Sequence, residues 1–249
     1  MSGHSKWATI KRKKAATDAA RGKAFSRTIK EITIAARAGG GDADANPRLR
    51  TAIAAAKAVN MPAANIERAI RKGTGELEGS TYEEVTYEGY GPGGVALLVE
   101  CATDNRNRAA GEIRHILDKY GGHMAAAGAV AYLFKPHGLI VVEKSSTSED
   151  ALLEAALEAG ADDVHTEGDA FEVLTAPAAF EAVKDAVAAR GIAVQSAELV
   201  KLASVQVPLS EREAEAALRL IEMLEENDDV QKVHANFTLP DEMLAKLSR

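Results

Sequence analysis

The order of strand-type and helix-type segments between residues 139 and 200 constrains the fold more than any other feature of the sequence. Apolar runs typical of strands lie at 139–143, 164–167, 170–175 and 192–200. Segments with apolar residues at helical spacing follow Ser148 and Pro177. The resulting β-α-β-β-α-β order predicts a split βαβ, or ferredoxin-like, domain.

The flanking segments predict a second α/β domain that surrounds this unit. Strand-type runs at 85–88, 95–100 and 129–134 precede it, and similar runs at 205–207 and 230–237 follow it. Between the last two, Ser210 and Glu213 have the spacing of a helix capping box. The elements before the inserted unit do not complete an α/β domain by themselves, and the strands and helix after it supply the missing half. We therefore predict one domain from 79–134 plus 203–249, with 135–202 inserted into it.

A glycine-rich stretch at 89–94, GYGPGG, formally matches the G-x-G-x-x-G fingerprint of dinucleotide-binding folds. That fingerprint must open a helix, and here the glycines precede a strand. We interpret the stretch as a hairpin loop and expect no cofactor.

Residues 1–78 predict a small all-helical domain, which makes the fold class α+β. An arm at 1–7 has no apolar period. Four helices are expected after it, at about 8–20, from Phe25 to the glycines at 39–41, at 48–59, and at 62–72 with Pro62 in its first turn.

Charge divides the chain at the same place. Residues 1–78 hold 16 Lys and Arg against 7 Asp and Glu, a net charge of +9. The rest holds 14 basic and 30 acidic residues, a net charge of −16, so the whole chain carries −7. Such asymmetry suggests an anion-binding module on an acidic body.

The basic residues of this module are candidate nucleic-acid contacts, because Lys and Arg neutralise phosphates and release condensed counterions. Trp7 could stack on an unpaired base. The candidates are Lys6, Trp7, Lys11, Arg12, Lys13, Lys14, Arg21, Lys23, Arg27, Lys30, Arg48, Arg50, Asn65, Arg68, Arg71 and Lys72. The alternative is a solvated, flexible N-terminus.

The predicted helices at 48–59 and 62–72 resemble a helix-turn-helix in outline. The second would present Asn65, Arg68, Arg71 and Lys72, whose side chains suit base edges or phosphates. A plain helical hairpin is the alternative.

A second candidate anion site begins the helix that follows residue 103. Asp104 is the expected N-cap, with Asn105, Arg106 and Arg108 beside it. Cations are unfavourable at a helix N-terminus, so an anion could join the two arginines there. Two exposed arginines with no ligand are the alternative.

The sequence gives little support for catalysis, and we predict neither an enzyme nor a metal site. The six histidines are dispersed and show no metal-ligand spacing. We interpret Cys101, the one cysteine, as a core residue, and the acidic run of Glu225, Glu226, Asp228 and Asp229 as a solvated loop. The absence of an 18-residue apolar run and of a secretory signal predicts a cytoplasmic protein.

Three long stretches are distinctive, together with a Gly121-Gly122 turn: GHSKWATIKRKKAATDAARGKAFSRTIKEI, NPRLRTAIAAAKAVNMPAANIERAIRKG and YEGYGPGGVALLVECATDNRNR. They resemble the YebC/PmpR family over essentially the whole chain. The resemblance implies one helical and two α/β domains in a cytoplasmic, DNA-binding transcriptional regulator. It also implies a competing role, because mitochondrial relatives act as translational activators and the family is linked to the ribosome.

Two targets therefore remain open. Duplex DNA would use the helix-turn-helix face, whereas ribosomal RNA would use the arm with Trp7 and Lys11 to Lys14. A protein-interaction module without nucleic acid is a third hypothesis, in which the acidic body is the working surface.

Overall fold

The computed structural model describes residues 18–79 and 81–239. In chain order the elements are α1 (Asp18–Gly39), α2 (Pro47–Ala58), α3 (Ala63–Gly73), β1 (Glu83–Tyr90), β2 (Ala96–Thr103), α4 (Arg106–Lys119), β3 (His123–Met124), β4 (Phe134–Glu143), α5 (Glu149–Glu158), β5 (Asp163–Glu167), β6 (Ala170–Thr175), α6 (Phe180–Ala189), β7 (Val194–Ala203), β8 (Val207–Pro208), α7 (Glu211–Glu226), β9 (Val230–Ala235) and β10 (Phe237–Thr238). The sequence also predicts a short helix after Pro240; that helix, the predicted arm and most of the helix expected at 8–20 lie outside the described residues, and 18–20 belong to α1.

The helical region is built on α1, against which both α2 and α3 pack. Ile32, Leu49 and Met61 lie in its core. Asn46 ties the first connection together: its Oδ1 accepts from the N–H of Leu49 at 3.1 Å and its Nδ2 donates to the carbonyl of Ala35 at 2.8 Å. The predicted helices at 48–59 and 62–72 are confirmed to within a residue, although Pro62 is the N-cap of α3 rather than part of its first turn.

The first sheet has the strand order β3-β1-β2-β9, and all its neighbours are antiparallel. Strands β1 and β2 form the hairpin predicted at the glycine-rich stretch, with Gly93 and Gly94 at positive φ in the turn. Helices α4 and α7 cover one face, with Leu97 and Val99 of the sheet packed on Ile113 and Leu220. The capping box of α7 forms as predicted.

The second sheet has the strand order β5-β6-β4-β7, again fully antiparallel, with α5 and α6 packed in its core. This order confirms the predicted β-α-β-β-α-β unit. The fold class, an all-helical region followed by two α/β units, is confirmed with it.

One predicted strand is wrong. Residues 131–133 form a 3-10 turn instead of a strand, and β4 runs unbroken from Phe134 through residues 135–138, which separate the two predicted strands at 129–134 and 139–143. Pro136 is tolerated within β4 because it lies beyond the end of β6, whose pairing with β4 begins at Gly138.

Strand β9 pairs with β2, so residues after the inserted unit complete the sheet that precedes it. The exact division into 1–78, 79–134 with 203–249, and 135–202 stays a prediction. Among the described helices, none has the length and apolar character that crossing a bilayer requires.

Candidate nucleic-acid interface

The outer face of α3 presents a group of cations. Ile66, Ala69 and Gly73 are buried on the inner side, which leaves the opposite side to the polar residues. Arg68 and Arg71 are exposed, and Lys72 is half-buried one turn beyond Arg68. Arg71 lies 3.4 Å from Glu76, and both side chains are exposed. Arg68 forms no ion pair with any residue that the structure describes.

This face depends on close contact between α3 and α1. A Cβ added at Gly73 would lie 2.5 Å from the carbonyl oxygen of Thr33. The Thr33 hydroxyl donates to the carbonyl of Ile29 at 2.8 Å and lies 3.3 Å from that of Ala69. The sequence therefore fixes the orientation of the cations through a small residue on the buried side.

Other predicted contacts in this region differ in their surroundings. Asn65 and Lys23 are half-buried, and Arg50 is exposed and donates to the carbonyls of Ala43 and Asp44. Two exposed cations were not predicted as contacts: Arg37, which donates to the Thr81 hydroxyl, and Lys57. Their position within the predicted basic helical domain was the sequence signal that could have identified these two residues as candidate contacts.

Lys30 does not lie on the free basic face. Its Nζ contacts the Asp229 carboxylate at 2.8 Å and also donates to the carbonyls of Ala102 and Asp228. The other Asp229 oxygen accepts from Arg108 at 2.7 Å and from the Thr103 hydroxyl at 2.9 Å. We call Asp229, Lys30, Arg108 and Thr103 the Asp229 clasp. It joins α1 to the first sheet.

The clasp keeps Asp229 ionised although the residue is only 4% exposed. Burial by itself raises the pKa of this carboxyl, but the hydrogen bonds from Lys30, Arg108 and Thr103 outweigh burial and lower it. The interpretation of this acidic run as a solvated loop is wrong for Asp229. Its main partner lies 199 residues away, a separation at which local patterns carry no information.

Arg27 strengthens the same junction. Its guanidinium donates to the carbonyl of Glu225 at the end of α7, and burial lowers the pKa of Arg27. Arg48 is also occupied, by Glu31 at 2.7 Å and Glu84 at 2.6 Å, and hydrogen bonds to both carboxylates raise its pKa. Arg27, Lys30 and Arg48 thus bind groups of the protein itself. Arg50, through two backbone carbonyls, and Arg71, through Glu76, do so as well.

The second candidate anion site has a different cap from the one expected. Asn105, not Asp104, is the N-cap of α4, since its side chain accepts from the N–H of Arg108 at 3.1 Å. Arg106 is 3.9 Å from Glu83, and Arg108 contacts Asp104 as well as Asp229. Carboxylates of the protein therefore offset the cations at this helix N-terminus. An external anion at Asn105, Arg106 and Arg108 stays a prediction.

The remaining predicted contacts fall on the N-terminal segment. Lys6, Trp7, Lys11, Arg12, Lys13 and Lys14 lie outside the described residues, and so does the side chain of Arg21.

A cavity of about 720 Å³ lies beside the clasp, lined by both signs of charge, among them Lys30, Arg108, Glu112 and Asp228. Within 18–79 and 81–239, no three His, Cys, Asp or Glu side chains are grouped to hold a metal ion. Cys101 is 3% exposed in the core of the first sheet, as predicted, and burial raises the pKa of its thiol to about 12.

Comparison with known proteins assigns the chain to a family. Residues 5–76 match the domain described as "TACO1/YebC protein N-terminal domain", and residues 82–237 match "TACO1/YebC second and third domain". The chain belongs to the TACO1/YebC family. The predicted resemblance to YebC-type proteins is confirmed by these matches.

Relatives in this family are similar over their full length. A probable transcriptional regulatory protein of Desulfatibacillum aliphaticivorans is 59% identical, over 99% of this chain and 100% of its own. Another, from Desulforapulum autotrophicum, is 57% identical over 98% of each chain. A crystal structure of a conserved hypothetical protein from Aquifex aeolicus is 48% identical, covers 90% of this chain and 92% of its own, and superposes with a TM-score of 0.82. The names of the relatives indicate a family of regulators.

Proposed function

We propose that this chain is a non-enzymatic, cytoplasmic regulator of gene expression that binds nucleic acid through the cations of its helical region. The outer face of α3 carries the proposal. Arg68 there has no carboxylate partner among the described residues, and Arg71 and Lys72 lie within one turn of it. Cations left without a protein counter-charge are available to phosphates.

The rest of the chain favours one orientation of the bound polyanion. Residues after 78 carry a net charge of −16 and repel a phosphate backbone that approaches from their side. The Asp229 clasp and Arg27 hold the helical region on this body through α1, and the polar face of α3 lies opposite the side that packs on α1.

Duplex DNA is the first candidate target. Similar proteins are named probable transcriptional regulatory proteins, and α2 and α3 have the lengths and short connection of a helix-turn-helix. RNA of the ribosome is the second candidate, and Trp7 next to the basic run from Lys11 to Lys14 favours it, because an aromatic ring stacks on unpaired bases.

A salt titration of the full chain tests the proposal on duplex DNA and on a structured RNA. We expect log affinity to fall linearly with log salt. In the Arg68→Ala/Arg71→Ala/Lys72→Ala variant the slope on duplex DNA should be shallower by about 0.9 for each phosphate that the variant no longer neutralises. Arg190→Ala is the matched control, because Arg190 pairs with Glu158 on the inserted unit; its slope should equal that of the parent.

Affinity that does not depend on salt, or a triple variant identical to the parent, would contradict the proposal. Sedimentation of cell extract through a density gradient separates the two targets. Co-migration with ribosomes selects RNA, and co-migration with chromosomal DNA selects the transcriptional role.

A further inference from the structure

The second sheet has two faces, and its helices cover one of them. Ile140 and Val142 of β4 point to the face on which α5 and α6 pack. Side chains alternate along a strand, so Leu139 and Val141 point to the opposite face. We call this opposite side, centred on Leu139 and Val141, the acidic face, because carboxylates surround these two residues there.

The middle of the acidic face is apolar and buried. Leu139 is 3% exposed, Val141 1% and Val200 8%. The apolar residues that pack with these three all belong to strands of the same sheet: Ala170, Leu174 and Leu202. In the part of the chain that the structure describes, this cluster includes no helix residue. An apolar sheet face is stable when a further layer packs on it, so this face is suited to dock another segment.

Carboxylates flank the apolar cluster on both sides. Glu172 lies opposite Val141 on one neighbouring strand, and Glu198 lies opposite Leu139 on the other. Residues directly opposite each other in antiparallel strands share a face. His165 lies 3.1 Å from Glu172 on this side. The strand positions that face this way include four acidic residues: Glu143, Asp163, Glu172 and Glu198.

The charge of the surrounding unit favours a cationic occupant. Residues 135–202 contain 5 Lys and Arg against 13 Asp and Glu, a net charge of −8. Lys135, opposite Leu202, is the one lysine or arginine that the described strands direct to the acidic face. A segment that docks there therefore gains from carrying both apolar and basic side chains.

The acidic face lies within reach of the start of α1. Lys232 is 3.3 Å from Glu198, and it follows Asp229 of the clasp by three residues, about 10 Å along β9. Helix α1 begins nine residues before Arg27, about 14 Å from the point where Arg27 holds it. The 17 residues that precede α1 could span up to about 56 Å if extended.

These 17 residues match the acidic face in charge and in apolar content. They contain five Lys and Arg with no Asp or Glu, and Trp7 and Ile10 supply large apolar side chains. The other end of the chain, 240–249, holds two acidic and two basic residues, so its net charge is zero. Charge complementarity therefore selects the N-terminal segment.

We propose that residues 1–17 dock on the acidic face when no nucleic acid is bound. Trp7 and Ile10 pack on the apolar cluster, and the basic run from Lys11 to Lys14 meets the carboxylates around it. Nucleic acid then competes with these carboxylates for the same cations and releases the segment. The docking stands by itself, whereas the competition rests on the proposed function.

Fluorescence of the full chain tests the docking, because Trp7 is its one tryptophan. Acrylamide should quench Trp7 less in the protein than in a peptide of residues 1–17. High salt should raise the quenching to that of the peptide, since ionic contacts are screened. The Lys11→Gln/Arg12→Gln/Lys13→Gln/Lys14→Gln variant should do the same at low salt.

A change on the face itself should have a smaller effect. Glu198→Gln should weaken the docking by about 1.4- to 5-fold, the range for loss of one exposed ion pair. Glu154→Gln is the matched control, because Glu154 is an exposed residue of α5 on the other side of the sheet. Its quenching should equal that of the parent. Parent quenching equal to that of the peptide would overturn the docking.

Carbodiimide cross-linking of the full chain, mapped by mass spectrometry, locates the contact. This reagent joins amines directly to carboxylates that touch them, so lysines of the basic run should link to Glu143, Asp163 or Glu198. Links from that run to Glu226 or Asp228 instead would overturn the proposal, as would links from Lys246 to the acidic face. Links between isotope-labelled and unlabelled copies would assign the face to a second copy, which also overturns it.

Nucleic acid separates this inference from the proposed function. Saturating duplex DNA or structured RNA should abolish the cross-links to the acidic face, and cross-links that persist would overturn the competition. A parent with shielded Trp7 that binds neither nucleic acid leaves the docking intact and contradicts the proposed function. A parent that binds nucleic acid with Trp7 unshielded leaves the proposed function intact and overturns the docking.

Discussion

The cations of the helical region fall into two groups that look alike in the sequence and differ in the structure. On the side of α1 that meets the α7–β9 junction, Arg27 and Lys30 bind carbonyls and a carboxylate of the first α/β unit, and we call these two residues and their partners the inner group. On the outer face of α3, Arg68 has no such partner among the described residues. A basic run therefore indicates that anionic or polar groups are near, and it does not indicate whether they belong to the protein or to a ligand.

The difference follows from which side of each helix is apolar. Ile32 and Ala36 of α1 point into the helical core, and Lys30 lies on a different side, which meets the junction of α7 and β9. In α3 the apolar residues point toward α1, so Arg68 points to solvent. In the function that we propose, stability and nucleic-acid binding therefore use different faces of one small domain.

Removal of the carboxylate that Lys30 and Arg108 bind should destabilise the protein most. Asp229→Ala leaves Lys30, whose side chain is 11% exposed, without its carboxylate. Loss of one partner of a buried ion pair costs about 3–5 kcal/mol, so we expect the free energy of unfolding to fall by about that amount in urea titrations. Removing the exposed side chain of Asp228 should change stability by less than about 0.5 kcal/mol.

Nucleic-acid affinity adds a second readout for the Asp229→Ala variant. Below its melting temperature the salt slope on duplex DNA should match that of the parent, because the face of α3 is unchanged. Unaltered stability would mean that the clasp does not hold the two units together.

Local sequence patterns predicted the helices, the split βαβ order and the glycine-rich hairpin, because each depends on periodicity, caps and turn residues within a few positions. They failed at 129–133, an apolar stretch that reads as a strand. There the N–H groups of Val130 and Ala131 bind Glu88 instead of a neighbouring strand. That competitor lies more than 40 residues earlier in the chain, beyond the reach of any local pattern.

The candidate site was predictable only in part for the same reason. Charge placed cations in the first 78 residues, and helical spacing placed Arg68, Arg71 and Lys72 on one face. The partners of Arg27, Lys30 and Arg48 come from distant segments, so their role in joining the units was not visible. The predictions for Trp7 and the basic run beside it stay untested.

Acid provides a weaker perturbation, which acts on Asp229 of the inner group and on two carboxyls outside that group, Glu88 and Glu100. In the folded protein the pKa values of Asp229 and Glu88 lie below their usual range. Burial raises the pKa of Glu100, but hydrogen bonds with His234 and Lys201 outweigh burial and lower that pKa to about 2. A carboxyl with a depressed pKa contributes stability above its unfolded value, near pH 4, and loses it as the pH falls toward the folded value.

We therefore expect the free energy of unfolding to decrease below about pH 4.5, by about 1.4 kcal/mol per pH unit for each such carboxyl. Urea titrations at a series of pH values measure this slope. The free energy of unfolding of the Asp229→Asn variant should be lower than that of the parent near neutral pH. Its decrease with falling pH should be smaller by about 1.4 kcal/mol per pH unit, the contribution of one carboxyl. An identical slope in the variant would show that Asp229 is not depressed.

Arg48 should contribute least to stability, because its ion pairs are exposed to solvent. Its side chain is 41% exposed, and Glu84 is 57% exposed, so solvent screens the pairing. Exposed ion pairs contribute about 0–1 kcal/mol, and we expect Arg48→Ala to lower the free energy of unfolding by about 0.5 kcal/mol. High salt should remove most of even this difference.

Arg48→Ala and Arg68→Ala form a matched pair for binding, since both remove one exposed arginine from the helical region. Because Glu31 and Glu84 already neutralise Arg48, its loss should leave the salt slope on duplex DNA unchanged. Loss of Arg68 should reduce that slope by about 0.9. Equal reductions in the two variants would mean that carboxylate pairing does not decide which cations meet phosphate, and the division between the inner and outer groups would then have no bearing on binding.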